Sequence, residues 1–392
     1  GIAVNGIAAW NGSSWSDLGG GLSGGGSAPP WRPVVYDMEV FDGKLIVAGH
    51  FGQAGGDWAQ YIAAWDGSSW SPLGSGMSAP YSGMDVYALA LFEGKLIAGG
   101  KFLYAGGEPM SRIAQWDGAS WSTLGSGING TVGELAVFEG SLIAGGSFSV
   151  AGDTNASRIA AWDGVAWHPL GSGMNDAVDA LVVFDNDLIA GGAFTIAGAA
   201  SANHIARWDG SSWYAVGQGA NDNVNALHVL GGALFAAGAF TSIDGLACNH
   251  IASWDGATWT AMDSGVNGNI HVLTHYFSEL ICGGIFTTAG EAASRNIAGW
   301  DGDSWFSLTQ GTNDYVTALT IFQNQVIVGG RFTAIEGTVA SHVARWDGDS
   351  WLPIGTGLNG SVDVLTVFDG QLIAGGEFTA AGEVTMNHIA KW

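Results

Sequence analysis

The chain has 392 residues, of which 47% are hydrophobic, 65 are glycine and 19 are tryptophan, so it is neither disordered nor collagen-like but a turn-rich protein with a real core. Asp and Glu number 35 against 11 Lys and Arg, a formal charge of −24, and a surface of that sign makes nucleic acid and anionic membranes poor partners. No apolar run reaches transmembrane length, and neither Cys248 nor Cys282 has metal-ligand spacing. Cys282 stands where other repeats carry Ala144 or Ala190 and reads as a small buried residue, Cys248 falls in a loop, and no disulfide between them is expected.

From the N-terminus the chain writes Trp10, the turn Asn11-Gly12 and Trp15, and this pattern recurs to the end. The leading tryptophans are Trp10, Trp65, Trp116, Trp162, Trp208, Trp254, Trp300, Trp346 and Trp392, spaced 55, 51 and then six times 46 residues apart. Such a period over a whole chain is the mark of a repeat architecture. Each unit reads as four strands, a to d. In residues 178–216, strand a is Val178–Phe184, turned by Asp185-Asn186 into strand b, Leu188–Phe194. A loop leads to strand c, Ile205–Trp208, and Asp209-Gly210 turns it into strand d, Trp213–Val216. Asp-Gly or Asn-Gly between apolar runs predicts a tight hairpin with both turn residues at positive φ. No segment carries a capped helical period. Four strands repeated eight times predict an all-β, eight-bladed β-propeller, with residues 1–392 as a single domain of repeats of about 46 residues.

The ring is predicted to close between the termini, because only Trp15–Leu18 can supply the last strand d. The chain carries nine c strands for eight places, so Ile7–Trp10 and Ile389–Trp392 compete. The local hairpin through Asn11-Gly12 favours Ile7–Trp10, whose loop-closure cost is small. Gly1 aligns with Gly56 in the middle of a connection, so the chain is expected to be an excerpt of a longer secreted polypeptide with further domains.

The doublets Gly99-Gly100, Gly145-Gly146, Gly191-Gly192, Gly283-Gly284, Gly329-Gly330 and Gly375-Gly376, each followed by the paired tryptophans, resemble kelch and galactose-oxidase-like propellers. Ala48-Gly49 and Ala237-Gly238 depart from the doublet, and strand c has Trp where kelch repeats have Tyr. The likeness is closer to the Trp-Asp-Gly repeat proteins of bacterial surface and secreted chains. It implies a propeller and a secreted or cell-surface location, and names no activity. Seventeen of the tryptophans hold the two repeat positions and read as packing between blades; Trp31 and Trp58 belong to neither.

All extra length falls in the d-to-a connections before Phe41 and Phe92, which places the insertions Gly20–Val34 and Ser75–Asp85 side by side on the long-loop face. Insertions on one face of a repeat protein mark a binding surface. Trp31, Arg32, Tyr36, Trp58, Tyr81 and Tyr87 cluster there in sequence and are the candidate ligand-binding residues; Tyr61 and Tyr104 lie nearby. The second residue of strand a varies most between repeats: Tyr36, Tyr87, Gly133, Asp179, Asn225, His271, Thr317 and Asp363. No resident cofactor is expected; Ca2+, if held at the mouth, would use Asp179 and Asp363 with loop carbonyls. A ring of Tyr61, Arg112, Arg158, His204, His250, Asn296, His342 and His388 precedes strand c and reads as hydrogen-bonding to adjacent loops, since its histidines are too far apart to share a metal. Sequons at Asn11, Asn129, Asn155 and Asn359 read as turn chemistry.

No nucleophile–base constellation, zinc motif or phosphate loop is present. The reading favours a binding module for a glycan or a protein surface. The alternatives are a spacer propeller within a larger surface protein and a polysaccharide-active enzyme with carboxylates at the channel mouth.

Overall fold

The structure is a computed structural model and describes residues 2–24, 33–80 and 84–381. It contains strands and turns, ordered as eight four-stranded antiparallel sheets: the architecture of a β-propeller. In the first sheet the order is Trp70–Pro72, Ile62–Trp65, Lys44–His50, Val34–Phe41, that is d, c, b, a. The remaining a strands are Val86–Phe92, Thr131–Phe138, Val178–Phe184, Val224–Leu230, Ile270–Tyr276, Val316–Phe322 and Val362–Phe368. Each packs on the a strand of the next sheet, and that of the eighth packs on that of the first, so the a strands surround one axis.

The eighth sheet joins both ends of the chain: Val362–Phe368 and Gln371–Gly376 are completed by Ile7–Trp10 and Trp15–Asp17. Ile7 lies opposite Gly375 and Trp10 opposite Leu372, the register that Ile62 and Trp65 adopt against Ala48 and Leu45 in the first sheet. Ile7–Trp10 thus occupies the contested place; Ile389–Trp392 lies outside the described residues. Ile2–Ala3 also pairs across the ends, with Ala380–Ala381.

Strand b is the most buried element because both of its faces meet a neighbouring sheet. Leu45, Ile46, Val47 and Ala48 are all buried, as are Leu188, Ile189 and Ala190. Its closing phenylalanines, among them Phe51, Phe102 and Phe194, are among the largest fully buried side chains. The glycine doublet follows from the same packing. A Cβ on Gly99 would sit 2.6 Å from Val132 of the next sheet, and one on Gly100 would sit 2.1 Å from the Asp85 carbonyl. The apolar clusters each span two consecutive sheets, including one that joins Ile7 and Ile373 of the eighth to Val35 and Val47 of the first.

The repeat tryptophans form a belt between sheets. In each pair the rings lie 5.3–5.5 Å apart. The strand-d indole donates its N–H to a backbone carbonyl of the preceding sheet: Trp121 to Leu73, Trp167 to Leu124, Trp213 to Leu170, Trp259 to Val216, Trp305 to Met262 and Trp351 to Leu308. Trp15 to Ile354 and Trp70 to Leu18 carry the belt through the eighth and first sheets. An indole buries much area and still satisfies its one donor, which suits it to this joint.

Two turn expectations separate. The a-to-b turns are two-residue loops, and in seven of the eight both residues have positive φ, as in Asp42 (50°) and Gly43 (69°); in the sixth sheet only Phe277 of Phe277-Ser278 does. The c-to-d turns are four-residue loops instead, because Trp65 pairs with Trp70. Only the glycine has positive φ there (Gly67, 96°), and the Asp66 carboxylate accepts from the Ser68 and Ser69 N–H groups at 2.8 and 2.7 Å. The aspartate therefore closes the turn with its side chain rather than by adopting left-handed backbone. Repeated donation by N–H groups holds these carboxyls down, Asp163 to about 2.

The b-to-c connection is also more ordered than a loop. It contains a small hairpin, such as Gln53–Ala54 with Asp57–Trp58 or Tyr104–Ala105 with Glu108–Pro109. In six repeats an asparagine clamps it: Asn175 accepts from the Thr195 and Ile196 N–H groups and donates to Thr195 Oγ1. The two repeats with insertions use strand pairing instead, Leu22–Ser23 on Gln53–Ala54 and Met77–Ser78 on Tyr104–Ala105. Both cysteines are buried and free, and burial holds the Cys248 and Cys282 thiols up at about 11 and about 12.

Candidate functional site

The most variable residue of each repeat has a structural reason to vary. Every strand a breaks register with strand b at that residue: between Val35 and Asp37, Val86 and Ala88, Val132 and Glu134, and so on to Val362 and Val364. The residue skipped is Tyr36, Tyr87, Gly133 or Asp363, the extra residue of a β-bulge. A bulge residue is released from the ladder, and its side chain is re-aimed without disturbing the sheet. The eight bulges therefore display eight interchangeable side chains around the axis on the long-loop face.

Around each bulge stand the residue two positions before it and the residue that follows the strand-b glycine. In sheets seven, eight, one and two most of these are large or charged, Thr317, Ser361 and Val34 excepted. Tyr315, Thr317 and Arg331 are followed by Ser361, Asp363 and Glu377, then Tyr36 and His50, then Asp85, Tyr87 and Lys101. In sheets three to five they are short: Thr131, Gly133 and Ser147, then Ala177, Asp179 and Ala193, then Asn223, Asn225 and Ala239. Sheet six adds Asn269, His271 and Ile285.

The decorated arc is internally connected. Tyr36 and Tyr87 lie with ring centroids 5.2 Å apart. Tyr87 donates its hydroxyl to Asp85 Oδ2 at 2.8 Å, and His50 Nδ1 donates to Asp85 Oδ1 at 2.7 Å, so one buried carboxylate is held from two sheets. Lys101 Nζ sits 5.3 Å over the Tyr87 ring, and the Tyr61 ring meets His50 at 5.8 Å. Burial, then the charge of Asp85, raises the Tyr36 phenol well above its ordinary range; for Tyr87, burial and its bond to Asp85 do the same. Both stay neutral hydroxyls, able to donate. Asp363, next around the axis, is pushed up to about 6 by burial and by Glu377. On the other flank Arg331 lies 5.4 Å over Tyr315, and Thr317 donates to the Val362 carbonyl at 2.5 Å.

Below the mouth, two carboxylates replace the Ala or Val that other repeats place just after the bulge. Asp37 accepts from the N–H of Leu89 in the next sheet at 2.7 Å and from that of Met38 at 2.8 Å. Burial nevertheless pushes it up to about 6. Burial, with the charges of Asp37 and Asp179, pushes Glu134 up to about 8. Sequence reasoning missed Asp37, Glu134, His50 and Asp85. The signal was there in alignment of the repeats, where Asp37 and Glu134 stand against Ala88, Ala180, Ala226 and Ala318.

Of the residues predicted from sequence, the structure brings Tyr36 and Tyr87 together. Trp58 is elsewhere: 71% exposed, on a small hairpin packed against the outermost strand Trp70–Pro72, at the rim rather than the axis. Trp31, Arg32 and Tyr81 lie outside the described residues. Asp179 and Asp363 belong to sheets four and eight and have different charged neighbours, Asp176 for the first and Glu377 for the second. Among the described residues, no group of three or more His, Cys, Asp or Glu side chains is arranged to hold a metal ion.

The ring before strand c is structural. Tyr61, Arg112, Arg158, His204, His250, Asn296 and His342 all have φ between 64° and 74°. The His204, His250 and His342 Nδ1 atoms lie 2.9–3.2 Å from the Gly192, Gly238 and Gly330 carbonyls. His388 lies outside the described residues.

A family model and one solved structure agree with this architecture. Residues 81–233 match the family described as the Rax2 C-terminal beta propeller domain. The computationally designed Ika8 protein, solved by crystallography, superposes with a TM-score of 0.58 at 16% identity, covering 90% of this chain and 96% of its own. The WD40 beta propeller domain of Doa1 gives a TM-score of 0.44 at 16% identity over 79% of this chain and 93% of its own. No curated protein matches the chain.

Proposed function

We propose that the chain is a single eight-bladed propeller domain, its ring closed between the two chain ends, that serves as a secreted or cell-surface binding module. The ligand we propose is a neutral glycan, taken at the long-loop mouth over sheets eight, one and two. The observation that carries this reading is the pair of bulge tyrosines, Tyr36 and Tyr87, 5.2 Å apart above the Asp85 carboxylate that His50 and Tyr87 hold. Rigid aromatic faces with polar tips, beside a fixed acceptor, suit the apolar face and hydroxyl rim of a sugar. The net charge of −24 disfavours anionic glycans. A second reading, a polysaccharide-active enzyme, draws on Asp37 and Glu134, since carboxyls held up at about 6 and about 8 are suited to proton transfer.

A glycan array with the wild-type chain and the Tyr36→Ala/Tyr87→Ala variant tests the first reading. Binding is expected to fall at least tenfold in the variant while circular dichroism and melting stay close to wild type. Undiminished binding would overturn the site. Release of reducing ends from the bound glycan, lost in Glu134→Gln, would replace the binding module by the enzyme.

A further inference from the structure

A second pair of unusual side chains lies away from that mouth, towards the tight-turn ends of two a strands. His228 is the fifth residue of Val224–Leu230 and His275 the sixth of Ile270–Tyr276. His228 Nε2 and His275 Nδ1 are 3.1 Å apart, with ring centroids at 5.3 Å. The other repeats fill the His275 position with Val40, Leu91, Val137, Val183, Val229, Ile321 and Val367. They fill the His228 position with Glu39, Ala90, Ala136, Val182, Thr274, Thr320 and Thr366. Histidine enters neither position anywhere else, yet both substitutions fall at one junction and face each other.

We propose that His228 and His275 form a two-imidazole site for a late first-row divalent cation, Zn2+ or Cu2+, between sheets five and six, with water completing the coordination. Imidazole nitrogens bind these ions at about 2.0–2.1 Å, which sets neighbouring ligand nitrogens about 2.9–3.4 Å apart, the spacing already present here. Coordination would replace the N–H···N hydrogen bond that now joins the rings: the donor ring moves its proton to its other nitrogen, and small rotations turn both lone pairs onto one ion. His275 is exposed, which leaves room for water. Two protein ligands and an acidic surface give micromolar rather than structural affinity.

Isothermal titration of the full chain with ZnCl2 and CuCl2 tests the site, together with His275→Val and His228→Thr/His275→Val. These variants install residues that other repeats carry at the same positions, so the fold tolerates them. One ion per chain is expected in the wild type, at least tenfold weaker uptake in either variant, and two-nitrogen hyperfine structure in the Cu2+ paramagnetic resonance spectrum. Mg2+ should give no heat. Absence of micromolar uptake, or unchanged uptake and spectrum in the double variant, would overturn the site.

Discussion

The two halves of the mouth share a backbone and differ in what hangs on it. Sheets three to five place Gly133, Asp179 and Asn225 at the bulge, with short neighbours such as Ala193 and Ala239. Sheets seven, eight, one and two place Thr317, Asp363, Tyr36 and Tyr87 there, among Arg331, Glu377, His50, Asp85 and Lys101. Bulge, glycine and carbonyl contact are the same on both sides, because Gly100 and Gly192 each leave 2.1–2.2 Å between a would-be Cβ and a facing carbonyl. The halves therefore differ in side chains that the scaffold does not need, on positions the scaffold keeps free. The decorated arc also includes the sheet shared by both ends of the chain.

That coincidence gives the largest expected effect. Removing residues 1–19 strips strands c and d from the eighth sheet and exposes the buried Ile7, Trp10 and Leu18 contacts. At about 2–3 kcal/mol for each large apolar side chain, the loss should reach about 5 kcal/mol or more. Denaturant melts should show it, whereas removing as many residues from a surface connection should cost far less. Equal losses would mean that the shared sheet does not hold the decorated arc.

Next in size is the contrast between the arcs themselves. Tyr36→Ala/Tyr87→Ala should lower glycan affinity at least tenfold, and Asn225→Ala/His271→Ala should leave it unchanged. Comparable losses from both pairs would erase the functional difference between the halves.

The outer belt should show no such contrast. Replacing Trp15 or Trp213 by Phe removes one indole donor, from Ile354 and from Leu170 respectively, at a cost of about 1–2 kcal/mol each. Urea unfolding of the two variants should agree within error. A markedly larger cost at Trp15 would show that the belt, too, is specialised near the shared sheet.

The pH dependence of stability is the finest of these contrasts. Asp37, Asp363 and Glu134 bind protons more tightly in the folded chain, at about 6, about 6 and about 8, than in the unfolded one. Their contribution is full below the ordinary carboxylate range and lost as pH rises through those values. Asp163, held at about 2 by turn N–H groups, and Asp209, held there by the Ser211 hydroxyl and then by turn N–H groups, contribute above that range and lose it on acidification. Melting temperature should therefore peak at mildly acidic pH and fall towards neutrality and beyond. Glu134→Gln should flatten the alkaline limb; an unchanged slope would place the proton elsewhere.

Much of the fold was legible because the repeat reports the same sentence eight times. Paired tryptophans, Asp-Gly turns and the closing phenylalanines fix four strands per unit, and the choice of Ile7–Trp10 over its distant copy follows from local closure. The small hairpins were not read because strands of two residues carry no periodicity, although positive-φ pairs such as Gly106 and Gly107 recur in them. The bulge was invisible for a related reason: every repeat carries the same extra residue, so it leaves no mark on the spacing. Tyr36 and Tyr87 could be singled out as aromatic and irregular. Their partners could not, since His50 and Asp85 stand 35 positions apart and meet only once two sheets are packed.

Hydrogen–deuterium exchange with and without a glycan identified on the array bears most directly on the asymmetric mouth. Protection is expected at the starts of the a strands Val34–Phe41 and Val86–Phe92 and at the ends of the b strands near His50 and Lys101, with sheets three to five unchanged. Protection spread evenly around the axis, or confined to the tight-turn face or to the rim hairpin that carries Trp58, would contradict the account.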